Sequence, residues 1–238
     1  MKEKNPKKMA GPQTLARIGL FAETPAAARE TLEKRCTWHR VAKDEQIINR
    51  ESGNRDVYFI VEGRVRVVNY SLSGREISFD DLEAGNYFGE MAALDDGPRS
   101  AHVVALESTM VASVSPAAFV EFMEHNPKVA LKVMRRLSFI LRRAVERIMD
   151  LSTLGANNRV HAEILRQAGE HMTGDNTAAI SPIPHHNDIA GRVSTTRETV
   201  ARVLSELAQN GVVIREGKSL VVPDVARLET LVEDVRGQ

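Results

Sequence analysis

The chain has 238 residues, 42% of them hydrophobic and 27% charged, and its 32 Lys+Arg balance 32 Asp+Glu to a formal net charge of zero. That length builds one or two domains with at least one full core, and the charge balance removes any global electrostatic argument for nucleic-acid binding, so such a contact has to come from a local basic face. No apolar run approaches the roughly 18 to 20 residues that span a bilayer, and the start, MKEKNPKKMAGPQ, is basic without an apolar signal segment. The single cysteine, Cys36, excludes a disulfide framework or a cysteine-built metal or iron–sulfur centre within one chain. A cytoplasmic protein is expected, with Cys36 a small buried apolar residue.

Residues 1–13, with four lysines and two prolines, have little to bury and read as a flexible tail. The segment 12–36 has helical spacing through Leu15, Ile18 and Leu20 and again through Ala28, Leu32 and Cys36, broken near Thr24-Pro25, which predicts a pair of short helices. From about 37 to 115 the period changes to two: DVYFIVEGRVRVVNY gives two strands interrupted at Gly63, SLSGREISF places Gly74 in a turn, and AHVVALESTMVASVS gives two more short strands. Short strands at close spacing predict an antiparallel barrel or roll.

From Pro127 to Leu154 one long helix is predicted. Met134, Leu137, Leu141, Ala144, Ile148 and Leu151 alternate spacings of three and four, with basic flanks at Lys132, Arg135, Arg136, Arg142, Arg143 and Arg147; so narrow a stripe favours the seam of a two-fold dimer over a helix packed on its own domain. Beyond it, RVHAEILRQAGEHM is helical, TGDNTAAISPIPHH a loop, NDIAGRVSTTRETVARVLSELAQNG two helices around a tight turn, and VVIREGKSLVVPD a hairpin at Glu216-Gly217. That order describes a winged helix-turn-helix. The expected fold is α+β, with 14–126 an antiparallel β-roll, 127–154 the dimerisation helix and 155–238 the winged domain. The stretch from 159 onward holds 9 Lys+Arg against 11 Asp+Glu, so a nucleic-acid contact would again be local.

Asn187 or Asp188 is placed to cap the first helix of the pair, and Thr195 or Thr196 the second, with Glu198 in its first turn in the manner of a capping box. Val200, Val203, Leu204 and Leu207 form the buried stripe, leaving Thr196, Arg197, Glu198 and Arg202 outward. Arg can donate two bonds to guanine and Glu can accept from cytosine, so this face suits base reading in a major groove; a solvated face with Glu198 and Arg202 as an i, i+4 pair fits the spacing as well.

A second constellation is FGEMAALDDGPRSA, residues 88–101. Gly89 lets backbone approach a ligand, the turn beginning at Glu90 presents free N–H groups, Arg99 carries a forked, permanent charge suited to a phosphodiester, and Ser100 adds a neutral donor. Glu90 cannot favour an anion by charge, so its use is to accept from a hydroxyl. No nucleophile, metal cluster or second carboxylate accompanies it, which argues against an enzyme.

Both segments resemble known patterns. Thr196, Arg197, Glu198, Thr199, Val200 and Arg202 are similar to the recognition helix of the catabolite-activator (Crp/Fnr) family, and Phe88, Gly89, Glu90, Met91, Ala92, Arg99, Ser100 and Ala101 to the phosphate-binding cassette of cyclic-nucleotide-binding domains. The resemblance implies a homodimeric, sequence-specific transcription regulator that reads a palindromic DNA site through Arg197, Glu198 and Arg202, with Thr195, Thr196 and Thr199 beside them. A cyclic nucleotide, cyclic AMP or cyclic GMP, would be its allosteric ligand, with the ribose 2′-hydroxyl on Glu90 and no metal. It further implies RNA polymerase as a partner, through the loop GEHMTGDNTAAISP. One departure concerns the base: where cyclic AMP members carry a Thr-Ser pair on the long helix, this chain has Ala144 and Val145, and Arg142, Arg143 or Glu146 could face the base instead. Cyclic di-GMP is a lesser alternative ligand. Two readings from other classes stay open: a ligand-independent DNA-binding regulator that keeps the cassette only as fold, and a nucleotide-binding module with a vestigial DNA domain. Haem would need an axial ligand, for which His102 on a strand is a poor candidate, and His185-His186 fit a place near DNA phosphate or solvent.

Overall fold

The computed structural model describes residues 14–72, 74 and 76–236; the tail expected over 1–13 lies outside them. The chain divides into two compact units, one built from the chain up to Asn69 with Phe79–Phe139, the other from Tyr70–Ser78 with Ile140 onward.

In the first unit a 3₁₀ turn at Gly19–Phe21 and helix α1 (Ala26–Glu33) precede the strands β1 (Thr37–Val41), β2 (Gln46–Ile48), β3 (Val57–Glu62), β4 (Arg64–Tyr70), β5 (Glu76–Glu83) and β6 (Tyr87–Phe88). Helix α2 (Glu90–Leu94), strands β7 (His102–Ala105) and β8 (Thr109–Val114), helix α3 (Pro116–His125) and the long helix α4 (Pro127–Thr153) follow. The strands form two four-stranded sheets, ordered β1-β8-β3-β6 and β2-β7-β4-β5, the antiparallel roll that the alternation predicts.

Strand β3 shows why its apolar run is unbroken. Its even positions, Tyr58 and Ile60, point into the roll with Val41, Val65, Leu82, Phe88 and Val111. Its odd positions, Val57, Phe59 and Val61, face the helices with Phe21, Phe119, Val129 and Val133. A strand covered on both faces loses its polar alternation. Phe21 stacks edge-on against Phe59 and Phe122 at 5.1 and 5.5 Å between centroids. Burying each such ring contributes about 1.5–3 kcal/mol. Helix α3 starts at Ser115, whose hydroxyl accepts from the Ala118 N–H, with Pro116 at the first helical position.

In the second unit, helix α5 (Ala156–Glu170), strand β9 (Ala178–Ile180), helices α6 (His186–Val193) and α7 (Arg197–Gln209), strands β10 (Ile214–Glu216) and β11 (Ser219–Val222) and helix α8 (Val225–Arg236) enclose a core of Val160, Ile164, Ile189, Val200, Val203, Leu207, Val213, Leu220 and Leu228. The loop expected over TGDNTAAISPIPHH contains β9, which completes a sheet ordered β10-β11-β9. Three residues are too few to show a period; what makes them a strand is pairing with β11, Leu220 opposite Ile180 and Val222 opposite Ala178. Helix α6 begins after His185, ahead of the caps expected at Asn187 or Asp188.

Among the described residues no helix is long and apolar enough to cross a membrane. Helix α4 carries its apolar stripe outward: Leu131, Met134, Leu141, Val145 and Ile148 are exposed, by 43 to 65%. Ala144 and Leu151 are exposed with them, but Leu137, expected in the seam, packs against the core of the first unit.

Candidate functional site

The cassette is assembled where β6 runs into α2. Gly89 sits between them with φ +83°, a left-handed conformation that glycine adopts without strain. A Cβ there would lie 2.7 Å from Arg99 Nη1 and 2.9 Å from the Asp56 carbonyl oxygen. The Arg99 guanidinium is folded under this turn and only 4% exposed. Its Nη1 donates to the Gly89 carbonyl at 2.9 Å, and its Nη2 to the Asp56 carbonyl at 2.8 Å and Asn54 Oδ1 at 3.2 Å. Its Nε is buried without an acceptor among the described residues, and its charge lies 5.9 Å from the Tyr58 ring centroid.

Glu90 is 5% exposed. Burial pushes its carboxyl above the ordinary carboxylate range, opposed in part by its own backbone N–H and by the charges of Arg136 and Arg99. Burial likewise lowers Arg99, with Tyr58, Asp56 and Glu90 opposing. A carboxyl and a guanidinium are therefore both buried in the cassette without an ion pair between them. Phe88, Ala92 and Ala101 are buried around them, whereas Met91 and Ser100 are exposed.

The residue of α4 that acts on Glu90 is Arg136, which the sequence reading assigned only to a basic flank. Its guanidinium lies 4.6 Å from the Tyr87 ring centroid and donates to Asn86 Oδ1 at 3.3 Å. The signal was present in the helical phase: Arg136 follows the buried Val129 and Val133 at spacings of four and three, which puts it on the same inward face. Arg142, Ala144 and Val145, the expected base contacts, fall in the half of α4 that belongs to the second unit and are all exposed. His102 uses Nδ1 to meet Gln46 Nε2 at 2.8 Å and the Arg50 N–H at 3.2 Å, a structural role on β7.

In the second unit the α6–α7 turn places the expected reading face outward. Thr196 caps α7, its hydroxyl accepting from the Thr199 N–H at 3.2 Å. Arg197, Glu198 and Arg202 are exposed, Thr199 is half-buried, and Thr195 is buried in the turn. Glu198 occupies the second helical position rather than the third, so the reciprocal capping box does not form; its own backbone N–H and the Thr196 hydroxyl hold its carboxyl below the usual range. Arg202 pairs with Glu206 at 3.1 Å and Asn157 Oδ1 at 2.8 Å instead of with Glu198.

Sequence reasoning missed the residues that hold this turn. Ser194 adopts the left-handed region, φ 55° and ψ 49°, and Arg159 clamps it by donating to the carbonyls of Val193 at 2.8 Å and Ser194 at 3.3 Å. Beneath it the fully buried Glu163 is bonded to Arg166, to Gln167 Nε2 at 2.6 Å and to Arg192 Nη1 at 3.3 Å, tying α5 to α6. No local pattern marks Glu163; its only cue is a charge at a core phase of α5.

A roll holding a buried carboxyl and guanidinium at a glycine turn, in one chain with a winged helix-turn-helix, is the architecture of a two-domain DNA-binding regulator. Residues 38–126 match the cyclic nucleotide-binding domain family, and residues 158–231 the Crp-like helix-turn-helix domain. The Cyclic AMP receptor protein of Thermus thermophilus is 33% identical over 74% of this chain and 78% of its own. The CRP-like cAMP-activated global transcriptional regulator of Mycobacterium tuberculosis is 27% identical over 91% of this chain and 97% of its own. Among solved structures, FixK2 from Bradyrhizobium japonicum is 26% identical, covers 82% of this chain and 96% of its own, and superposes with a TM-score of 0.67. The chain belongs to the Crp/Fnr family: it is a DNA-binding transcription regulator with a cyclic-nucleotide-binding domain, and not an enzyme.

Proposed function

We propose that this protein is a homodimer in which a cyclic nucleotide, bound in the β-roll, gates the reading of a palindromic DNA site. The observation that carries the ligand is the uncompensated pair in the cassette. Arg99 spends its charge on neutral acceptors, the Gly89 and Asp56 carbonyls and Asn54, while Glu90 stays buried with its carboxyl raised. A structural salt bridge would join the two directly. A cyclic nucleotide resolves both, its phosphodiester taking the guanidinium and its 2′-hydroxyl donating to the carboxylate. Relatives named as cAMP-activated favour cyclic AMP, whereas the exposed Ala144 and Val145 offer the base no hydrogen bond and leave cyclic GMP a competitor.

The dimer rests on the exposed stripe of α4 at Leu131, Met134, Leu141, Val145 and Ile148, whose spacings of three, seven, four and three follow a coiled-coil seam. Two recognition helices on a two-fold axis would read half-sites about 34 Å apart through Arg197, Glu198 and Arg202. The ligand gates this only by its differential affinity for two arrangements of those helices. RNA polymerase is the proposed further partner, at the loop preceding and following β9.

One observation favours a second reading, ligand-independent DNA binding: the Arg99 donors are already satisfied by the protein's own carbonyls. Parallel calorimetric titration with cyclic AMP, cyclic GMP and cyclic di-GMP, followed by DNA affinity with and without the binding nucleotide, separates the two. A saturable heat that Arg99→Ala abolishes, with tighter DNA binding in its presence, is the expected result. Equal DNA affinity in both conditions removes the gating, and absence of any heat removes the ligand.

A further inference from the structure

We propose that the first unit holds a second anion site, adjoining the cassette through Arg136 and suited to a small phosphate-bearing molecule. It is a cleft of about 410 Å³ between the 3₁₀ turn, the Gly85–Tyr87 turn and the first half of α4, within the size range of small-molecule pockets. Neither Glu90 nor Arg99 lines it, and neither does any acidic side chain. Its walls carry Lys132, Arg135 and Arg136 on one helical face, with Asn86, Tyr87 and Phe139.

The basic side chains around the cleft outnumber their acidic partners: Arg136 also faces the Glu90 carboxyl, and one carboxylate serves two lysines. Glu23, outside the lining, pairs with Lys132 at 3.1 Å and with Lys128 at 3.8 Å. Arg135 is exposed and makes no hydrogen bond or ion pair among the described residues. Arg136 has one bond, 3.3 Å to Asn86 Oδ1. Two buried polar atoms of the lining residues, Arg136 Nε and Tyr87 Oη, have no hydrogen-bond partner among the described residues. Stacking of the guanidinium on the Tyr87 ring accounts for where Arg136 lies, but it gives neither atom an acceptor. Buried donors are ordinarily matched, and here the wall offers donors in excess. A phosphate supplies several acceptor oxygens and two charges, which suits Arg guanidinium forks. Phe139, 55% exposed beside them, gives a planar body attached to that phosphate a ring to stack on.

The test is calorimetric titration at constant ionic strength with inorganic phosphate and, in a second arm, with 5′-AMP. The proteins are the full-length wild type, Arg99→Ala, Tyr87→Phe and the Lys132→Ala/Arg135→Ala double variant, each checked by circular dichroism to be folded at the titration temperature. Expected are saturable binding by the wild type and by Arg99→Ala within twofold of each other, at least tenfold weaker binding by the double variant, and a several-fold loss in Tyr87→Phe. Tighter binding of 5′-AMP than of phosphate assigns a role to Phe139, while equal binding assigns free phosphate. No saturable binding to the wild type, a tenfold loss in Arg99→Ala, or undiminished binding by the double variant overturns the site.

Discussion

Replacing Gly89 by alanine tests whether the cassette turn and the Arg99 guanidinium form one unit. Alanine at φ +83° takes on the left-handed strain of about 1–2 kcal/mol. Its Cβ would also stand 2.7 Å from Arg99 Nη1 and 2.9 Å from the Asp56 oxygen, closer than such atoms approach, so the guanidinium has to leave. That movement breaks the bonds at 2.9 Å to Gly89 and 2.8 Å to Asp56, and hydrogen bonds to a charged group are worth about 1.5–3 kcal/mol each. Strain and the two bonds together put the expected loss at about 4–8 kcal/mol. Gly74→Ala is the control: φ is +77° but nothing lies within 4 Å of the new Cβ, so only the strain of about 1–2 kcal/mol applies. Urea titrations of both variants, and of Gly89→Ala made in an Arg99→Ala background, give the comparison. Equal losses in the two glycine variants, or a Gly89→Ala cost that does not fall when Arg99 is absent, would refute the coupling.

Glu90 has a raised carboxyl, so the unfolded chain releases its proton first as pH rises from the ordinary value of 4.5. Between that value and the raised folded one the native state binds more protons, and its stability falls with rising pH. Glu90→Gln should flatten that slope in melts recorded across the range; an unchanged slope assigns it to other groups. The Cys36 thiol, pushed from 9.0 to about 12 chiefly by burial, has roughly a thousandfold less thiolate at pH 8. After allowing for its higher intrinsic nucleophilicity, native protein should react with an aromatic disulfide about 30- to 60-fold more slowly than unfolded protein, and equal rates would show the thiol to be free. Leu141→Glu, placed in the exposed stripe of α4, should shift sedimentation to the monomer and weaken binding to a two-half-site DNA at least tenfold while single-half-site binding persists. A variant that still sediments as a dimer moves the interface elsewhere. Thr196→Ala, which removes the cap on α7, should lower the stability of the winged unit by about 1 kcal/mol in urea, and no change would mean that the cap carries no weight.

How far the site could be read depended on whether its parts are adjacent in sequence. The Phe88–Glu90 turn and the Arg99-Ser100-Ala101 end lie within fourteen residues, and the outward face of α7 follows from the phase of Val200, Val203 and Leu207. The acceptors that hold Arg99, at Asn54 and Asp56, come from a segment more than forty residues away, and a backbone carbonyl has no signature in sequence. Arg136 was visible as a charge but not as a neighbour of Tyr87 and Glu90. Of the stripe expected on α4, Met134, Leu141, Ala144, Ile148 and Leu151 are exposed and Leu137 is packed inward, because one helix face has to divide between its own core and the outside.

Local rules alone determined the order of the elements, the change of period at about residue 37, the glycine turns and the chemistry of the two motifs, since each depends on spacing along the chain. Only the packed structure decided that β9 is a strand, that Glu163 with Arg192 and Arg159 brace the α6–α7 turn, and that Arg99 and Glu90 are both buried in the cassette without pairing. Those outcomes depend on which distant groups burial brings together and on the partners it removes from water, and a charge reveals its surroundings only once its neighbours are in place.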